Sequence, residues 1–156
     1  MSAYVELATE PFDPAERLSG FTAALGDEGA IVSFIGRART TSKDGQPLTA
    51  LILETYRGVT LGSMESIVAE AHARFPITAS HVVHRDGTIL PGEAIVFVAT
   101  ASPHRRAAFE AADYLMDRLK TEAVFWKREE GPDGRRWIEP TDADRADTAR
   151  WATTQD

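Results

Sequence analysis

The 156 residues contain no cysteine. That excludes disulfides, thiolate metal sites and a cysteine nucleophile on this chain. If sulfur chemistry takes place here, the sulfur arrives on another molecule. Histidine is scarce too: His72, His81, His84 and His104 are the whole set, and none pairs at HxxxH spacing, which argues against a zinc site. No apolar run approaches the roughly 20 residues that span a bilayer. The opening MSAYVELATEPFD has neither the basic start nor the apolar stretch of a secretory signal. The GxSxG elbow, the P-loop and the GxGxxG fingerprint are missing, and so are internal repeats, low-complexity stretches and linkers. The expectation is a soluble cytoplasmic protein, off the membrane and without a metal or cofactor, forming one domain over residues 1–156.

Hydrophobic residues make up 43% and charged residues 26% of the chain, the proportions of a protein that folds around a core. The net charge of −7 argues against a nucleic-acid binder, which needs lysine and arginine to neutralise phosphates. The charge is unevenly spread. Residues 1–30 hold six acids against one base, whereas Arg105, Arg106, Arg118, Lys120, Lys127 and Arg128 crowd into residues 100–128. With Arg37 and Arg39 they form a candidate cationic pocket on an acidic body, suited to a small anion. The competing reading is a chance cluster of solvated charges.

The periodicity predicts strands over 4–9, 29–37, 48–56, 77–85, 94–101, 123–129 and 135–139. Asp13 followed by Pro14 predicts a helix start, and an amphipathic helix is predicted over 60–75, stopping before Pro76. TSKDGQP is a polar loop with an Asp-Gly turn signal, and DGTILPGE a second turn. Ser102 before Pro103 predicts the N-cap of a long helix running to about Thr121, with Ala108, Phe109, Ala112, Leu115, Met116 and Leu119 as its apolar stripe. A hairpin and a short polar helix close the chain. Strands and helices without regular βαβ alternation indicate an α+β fold around a largely antiparallel sheet.

Within this frame the cations invite a functional reading. His104, Arg105 and Arg106 fall in the first turn of the long helix, where positive charge opposes the dipole unless an anion is bound there. Arg37 and Arg39 share one side of a strand end that opens into a loop. RLKTEAVFWKREE carries Lys120 and Lys127 at its two ends of an apolar run. Lys120 at a helix end is favourable for the dipole and needs no further role. Lys127 lies in a strand, on the face of Phe125 and Glu129 and opposite Trp126 and Arg128. Crowding by other cations, or burial, would lower its pKa and make it a usable base or nucleophile. The two lysines are either solvated ends or convergent cations, and spacing alone leaves that open. His84 and Arg85 follow a strand and face either the same pocket or solvent, and Glu54 and Tyr56, on one strand face, either orient the cations or close a buried polar contact. Trp126, Trp137 and Phe109 read as core or interface.

GAIVSFIGRAR, LETY, VVHRDGTILPGEAIVFVATASPHRRAAFEAADYLMDRLKTEAVFWKRE and RRWIE, spread over residues 29–139, together resemble the large, catalytic subunit of molybdopterin synthase, the MoaE family. The resemblance implies a sulfurtransferase. It would convert a cyclic pyranopterin monophosphate into molybdopterin, with dithiolene sulfur brought as a thiocarboxylate on the Gly-Gly C-terminus of a small ubiquitin-like subunit. It also implies a homodimer within a heterotetramer. Carried over by motif, Lys120 meets the thiocarboxylate and Lys127 contacts the pterin and moves protons. Arg37, Arg39, His104 and Arg105 cradle the phosphate and substrate, and Arg128 extends the cationic wall. The loops TTSKDGQPLT and YRGVTLGSM depart from the family pattern at the rim. A non-catalytic module binding a phosphorylated metabolite or a peptide tail is the alternative.

Overall fold

The structure, a computed structural model, describes residues 2–132 and 134–153. In chain order the elements are β1 (Ser2–Ala8), α1 (Pro14–Ala23), β2 (Ala30–Arg37), β3 (Ala50–Glu54), α2 (Arg57–Arg74), β4 (Ala79–Arg85), β5 (Gly87–Ile89), β6 (Ala94–Ser102), α3 (Arg105–Thr121), β7 (Trp126–Gly131), β8 (Gly134–Ile138) and α4 (Asp142–Ala149). A 3-10 turn, Arg150–Thr153, follows α4.

The strands form two four-stranded sheets, one ordered β1-β4-β6-β2 and the other β5-β3-β7-β8. Among the described residues only the β1–β4 pairing is parallel. The fold is α+β and largely antiparallel, as the pattern predicts, but it is divided between two sheets. The division turns on β5: the stretch read as a turn contributes three residues that pair with β3 at Leu51–Ile89, Ile52–Thr88 and Leu53–Gly87.

Helices cover both faces of the first sheet, and its inner strands alternate accordingly. Val82, Val96 and Val98 point toward α2 and α3, joining Met64, Ile67, Val68, Ala111, Leu115 and Leu119 in the main core. Val83, Phe97, Ala99 and Ala101 point the other way, toward Phe21 of α1. A smaller core of Ala38, Leu53 and Ile89 belongs to the second sheet, with Ile95 of β6 packed against it.

Helix ends follow local chemistry at some sites and tertiary demands at others. Asp13 caps α1 as predicted, Oδ1 accepting from the Ala15 and Glu16 amides at 2.9 and 3.4 Å. The predicted cap at Ser102 is displaced. Ser102 is the buried last residue of β6, its hydroxyl donates to the His104 carbonyl, and His104 is the N-cap of α3 without a side-chain bond. Strand pairing of Ser102 with Ala30 holds it extended, so the helix begins two residues later than the Ser-Pro signal suggests. α2 begins earlier than its pattern, at Arg57, since Gly58 and exposed Val59 add no apolar periodicity. Phe109, expected in the α3 stripe, is 60% exposed. Asp44-Gly45 makes its turn with Gly45 at φ +79°, the left-handed region that glycine tolerates.

Candidate active site

Lys120 occupies the last turn of α3, and Lys127 is the second residue of β7. The link between them is tied to α2: Thr60 Oγ1 donates to the Val124 carbonyl at 2.6 Å, and the Val124 amide donates to Ser63 Oγ at 3.2 Å. This reversal turns a separation of seven residues into proximity. Lys127 is largely buried, with Leu53 and Ile138 as its cross-strand neighbours. Its pKa is lowered first by burial and then by the charge of Lys120, with Asp144 opposing. Lys120 stays 54% exposed in its side chain and lies 3.7 Å from Asp144 Oδ1. Lys120 is thus near enough to Lys127 for its charge to act there, which is what the convergent reading requires.

His84 completes the buried side of this cluster. It projects from β4 toward the α2–α3 face, by alternation with Val82, and stacks on Phe125 at 4.0 Å. Burial, then the charge of Lys127, lowers its pKa to about 3, against a hydrogen bond to the Arg85 carbonyl that raises it. A carbonyl can only accept, so at the 2.8 Å contact Nδ1 carries the proton and the neutral ring keeps Nε2 as an acceptor. Arg85 beside it is also buried; it donates to the Thr88 carbonyl at 2.9 Å and lies 3.7 Å from Glu93.

The depressed His84 pKa has a consequence for stability. Between pH 6.5 and about 3 the unfolded chain binds a proton that the folded chain refuses, so stability is lost as pH falls through that window. Urea midpoints measured from pH 7 to 4 are expected to fall less steeply in His84→Gln than in wild type. Parallel slopes would contradict the burial of a neutral imidazole.

The other sequence candidates lie apart from the lysine pair. Arg37 donates from Nε to the Gly92 carbonyl at 3.1 Å, in a turn where Gly92 takes φ +86°. Arg39 is exposed, without an ion pair among the described residues. Ala38 between them packs with Leu53, the cross-strand neighbour of Lys127. Arg128 lies on the opposite face of β7, paired with Glu54 and with Glu130 at 3.2 Å, its guanidinium 5.7 Å from the Trp137 ring centroid. His104, Arg105 and Arg106 are exposed and line a cleft of about 560 Å³ with Gly29 and Phe109. That cleft lies at the far end of α3 from Lys120, ~22 Å away at ~1.5 Å per residue. A further cleft of about 860 Å³ between α1 and β1–β4, lined by Tyr4, Arg17, Phe21 and His81, contains none of the candidates.

Of the cluster, His84 is left open by the sequence and Asp144 is not singled out by it. Nothing local separates a pocket histidine from a solvated one. Asp144 has only the Thr141-to-Asp144 spacing of a helix cap to mark it. Among the described residues no group of three or more His, Asp or Glu side chains is arranged to hold a metal ion, and no helix is long and apolar enough to cross a membrane.

Comparison with known proteins bears on the chain as a whole. The family model described as MoaE protein matches residues 7–122. The molybdopterin synthase catalytic subunit of Caulobacter vibrioides is 52% identical over 147 residues, covering 94% of this chain and 96% of the relative. The molybdopterin biosynthesis MoaE protein from Burkholderia ambifaria superposes with a TM-score of 0.81 at 39% identity, covering 97% of this chain and 99% of the other. The crystal structure of molybdopterin synthase from Staphylococcus aureus gives 0.77 at 28% identity, covering 86% and 96%.

Proposed function

The chain belongs to the MoaE protein family, and on that footing we propose that it is the catalytic subunit of a molybdopterin synthase, a cytoplasmic sulfurtransferase of molybdenum cofactor biosynthesis. Its substrate is a cyclic pyranopterin monophosphate, and its sulfur donor is the thiocarboxylated Gly-Gly tail of a small ubiquitin-like subunit. The observation that carries this reading is a largely buried lysine drawn up to a second lysine on a chain without cysteine. Such a site activates a sulfur that arrives on a partner and supplies none of its own.

In this reading Lys120, at the exposed mouth, meets the anionic tail and assists attack by its sulfur and release of the carboxylate. Each transfer forms one carbon–sulfur bond at a pterin side-chain carbon, whose oxygen substituent leaves with a proton. Water then cleaves the acyl carbon–sulfur bond, leaving the sulfur on the pterin and returning the tail as a carboxylate. Lys127, whose lowered pKa brings its proton exchange closer to neutral pH, contacts the pterin and moves protons. Arg37, Arg39, His104 and Arg105 cradle the phosphate and substrate, and Arg128 extends the cationic wall from the other face of β7. Since His104 and Arg105 lie ~22 Å along α3 from their own lysines, they serve the site of a second copy. The edge strand β2, which exposes Ile31, Phe34 and Ile35, supplies an apolar surface for that homodimer, with a carrier subunit at each end.

The test is a single-turnover reaction of the purified protein with thiocarboxylated carrier and the cyclic pterin phosphate. Dithiolene product is expected. A folded protein that binds the tail and forms none would favour the non-catalytic binding module instead.

A further inference from the structure

We propose that Asp144 is a positioning residue for the lysine pair, its carboxylate holding the Lys120 ammonium at the mouth of the site and offsetting the repulsion between Lys120 and Lys127. The catalytic consequence rests on the sulfur-transfer reading, whereas the pairing of Asp144 with Lys120 stands on geometry.

The two carboxylate oxygens of Asp144 have different partners. Oδ2 accepts from the Thr141 amide at 2.9 Å while Thr141 Oγ1 accepts from the Asp144 amide at 3.1 Å, the reciprocal cap that starts α4. Oδ1 is left for Lys120, at 3.7 Å. The cap fixes the carboxylate, and α4 is itself fixed on α3. Thr148 Oγ1 donates to the Asp117 carbonyl at 3.1 Å and shares a 2.9 Å contact with Thr121 Oγ1. Beyond the helix, Trp151 Nε1 donates to Asp117 Oδ2 at 2.7 Å. The anion therefore has little freedom, whereas a half-exposed lysine has four rotatable bonds and loses entropy when held. A rigid counter-ion is what confines it.

The same anion acts on Lys127. Among the described residues the charged and titratable groups on this side of Lys127 are Lys120 from α3, Asp144 from α4, His84 from β4 and Glu129 of its own strand. Glu129 is drawn to Arg136 at 2.9 Å, and Asp144 is the anion whose charge acts on Lys127. Removing its charge leaves the two cations without the anion that offsets their repulsion. Asp144 itself remains ionised: burial opposes its charge, but the Thr141 hydrogen bonds and Lys120 outweigh it and lower its pKa.

Asp144→Asn separates this role from helix capping, because the amide oxygen still accepts from the Thr141 amide while the charge is gone. Thr141→Ala does the reverse. Both are to be assayed for single-turnover sulfur transfer, thermal stability and lysine titration by ¹³Cε NMR. Asp144→Asn is expected to transfer sulfur roughly three- to fivefold more slowly, the scale of losing a part-exposed ion pair, with the Lys127 titration moved to lower pH. Asp144→Glu is expected to restore part of the rate. Thr141→Ala is expected to melt earlier, with a rate within about twofold of wild type. A wild-type titration of Lys127 in Asp144→Asn overturns the proposal, as does loss of rate that merely follows loss of stability in both variants. If the wild-type protein itself transfers no sulfur, the sulfur-transfer reading fails, and the Lys127 titration still decides the role of Asp144.

Discussion

Lys120→Ala is expected to fold, to bind the carrier tail and to lose ~10²- to 10⁴-fold in single-turnover dithiolene formation, the range that a positioned acid–base or nucleophilic group contributes. The small structural cost follows from its setting. The side chain is 54% exposed, and among the described residues its ion pair is with Asp144 at 3.7 Å. An exposed pair contributes at most about 1 kcal/mol, and a cation in the last turn of a helix ~0.3–1 kcal/mol. Neither is enough to unfold a chain whose main core runs from Leu7 to Leu119. Rate and stability therefore separate, and the measurement is clean: thermal melts and tail affinity as controls, product as readout. A folded variant with a wild-type rate would move the chemistry to Lys127. A variant with only a small loss of affinity, beside a wild type that makes no product, would indicate a binding module.

The contrast between these lysines and the remaining candidates shows what a linear pattern can carry. Strand alternation placed Lys127 correctly on β7, and opposite Arg128, because a period of two is a local property. It did not indicate that the face away from Lys127 offers Glu54, across the sheet on β3, as a partner for Arg128. That pairing spans 74 residues, and no short window contains it. The same holds for β5, where three residues are too few to show a period, and pairing with β3 alone makes them a strand. At α3 a strong local signal, Ser102-Pro103, was overridden because Ser102 is held by the β2–β6 ladder. His84 and Asp144 reach the lysines from β4 and α4, one ahead of the pair in sequence and one behind it. The family motifs marked the lysines; their surroundings come from tertiary pairing.

Lys127→Met is expected to be more stable than wild type and to lose at least tenfold in sulfur transfer. Methionine keeps the length and apolar stem of the side chain but carries no charge to desolvate. In the folded chain burial, then the field of Lys120, lowers the Lys127 pKa, so the charged form is disfavoured relative to the unfolded chain. The sign is fixed by proton counting. At a pH below the folded value both states are protonated, and the full burial cost applies. Between the folded value and the ordinary 10.5 the unfolded chain holds a proton that the folded chain has released. Wild-type stability therefore rises with pH across that window. The advantage of Lys127→Met is largest at neutral and acidic pH, where a rise in Tm of roughly 2–4 °C corresponds to ~1 kcal/mol in a chain of this size, and it shrinks as pH approaches 10.5. Lys127→Arg sharpens the test. A guanidinium keeps the charge at every accessible pH, so this variant is expected to melt below wild type and to remain inactive. A lysine kept for structure would give the opposite ordering, with Lys127→Met the less stable of the two. Gain of stability with loss of turnover is the signature of a charge retained in a buried place for its chemistry.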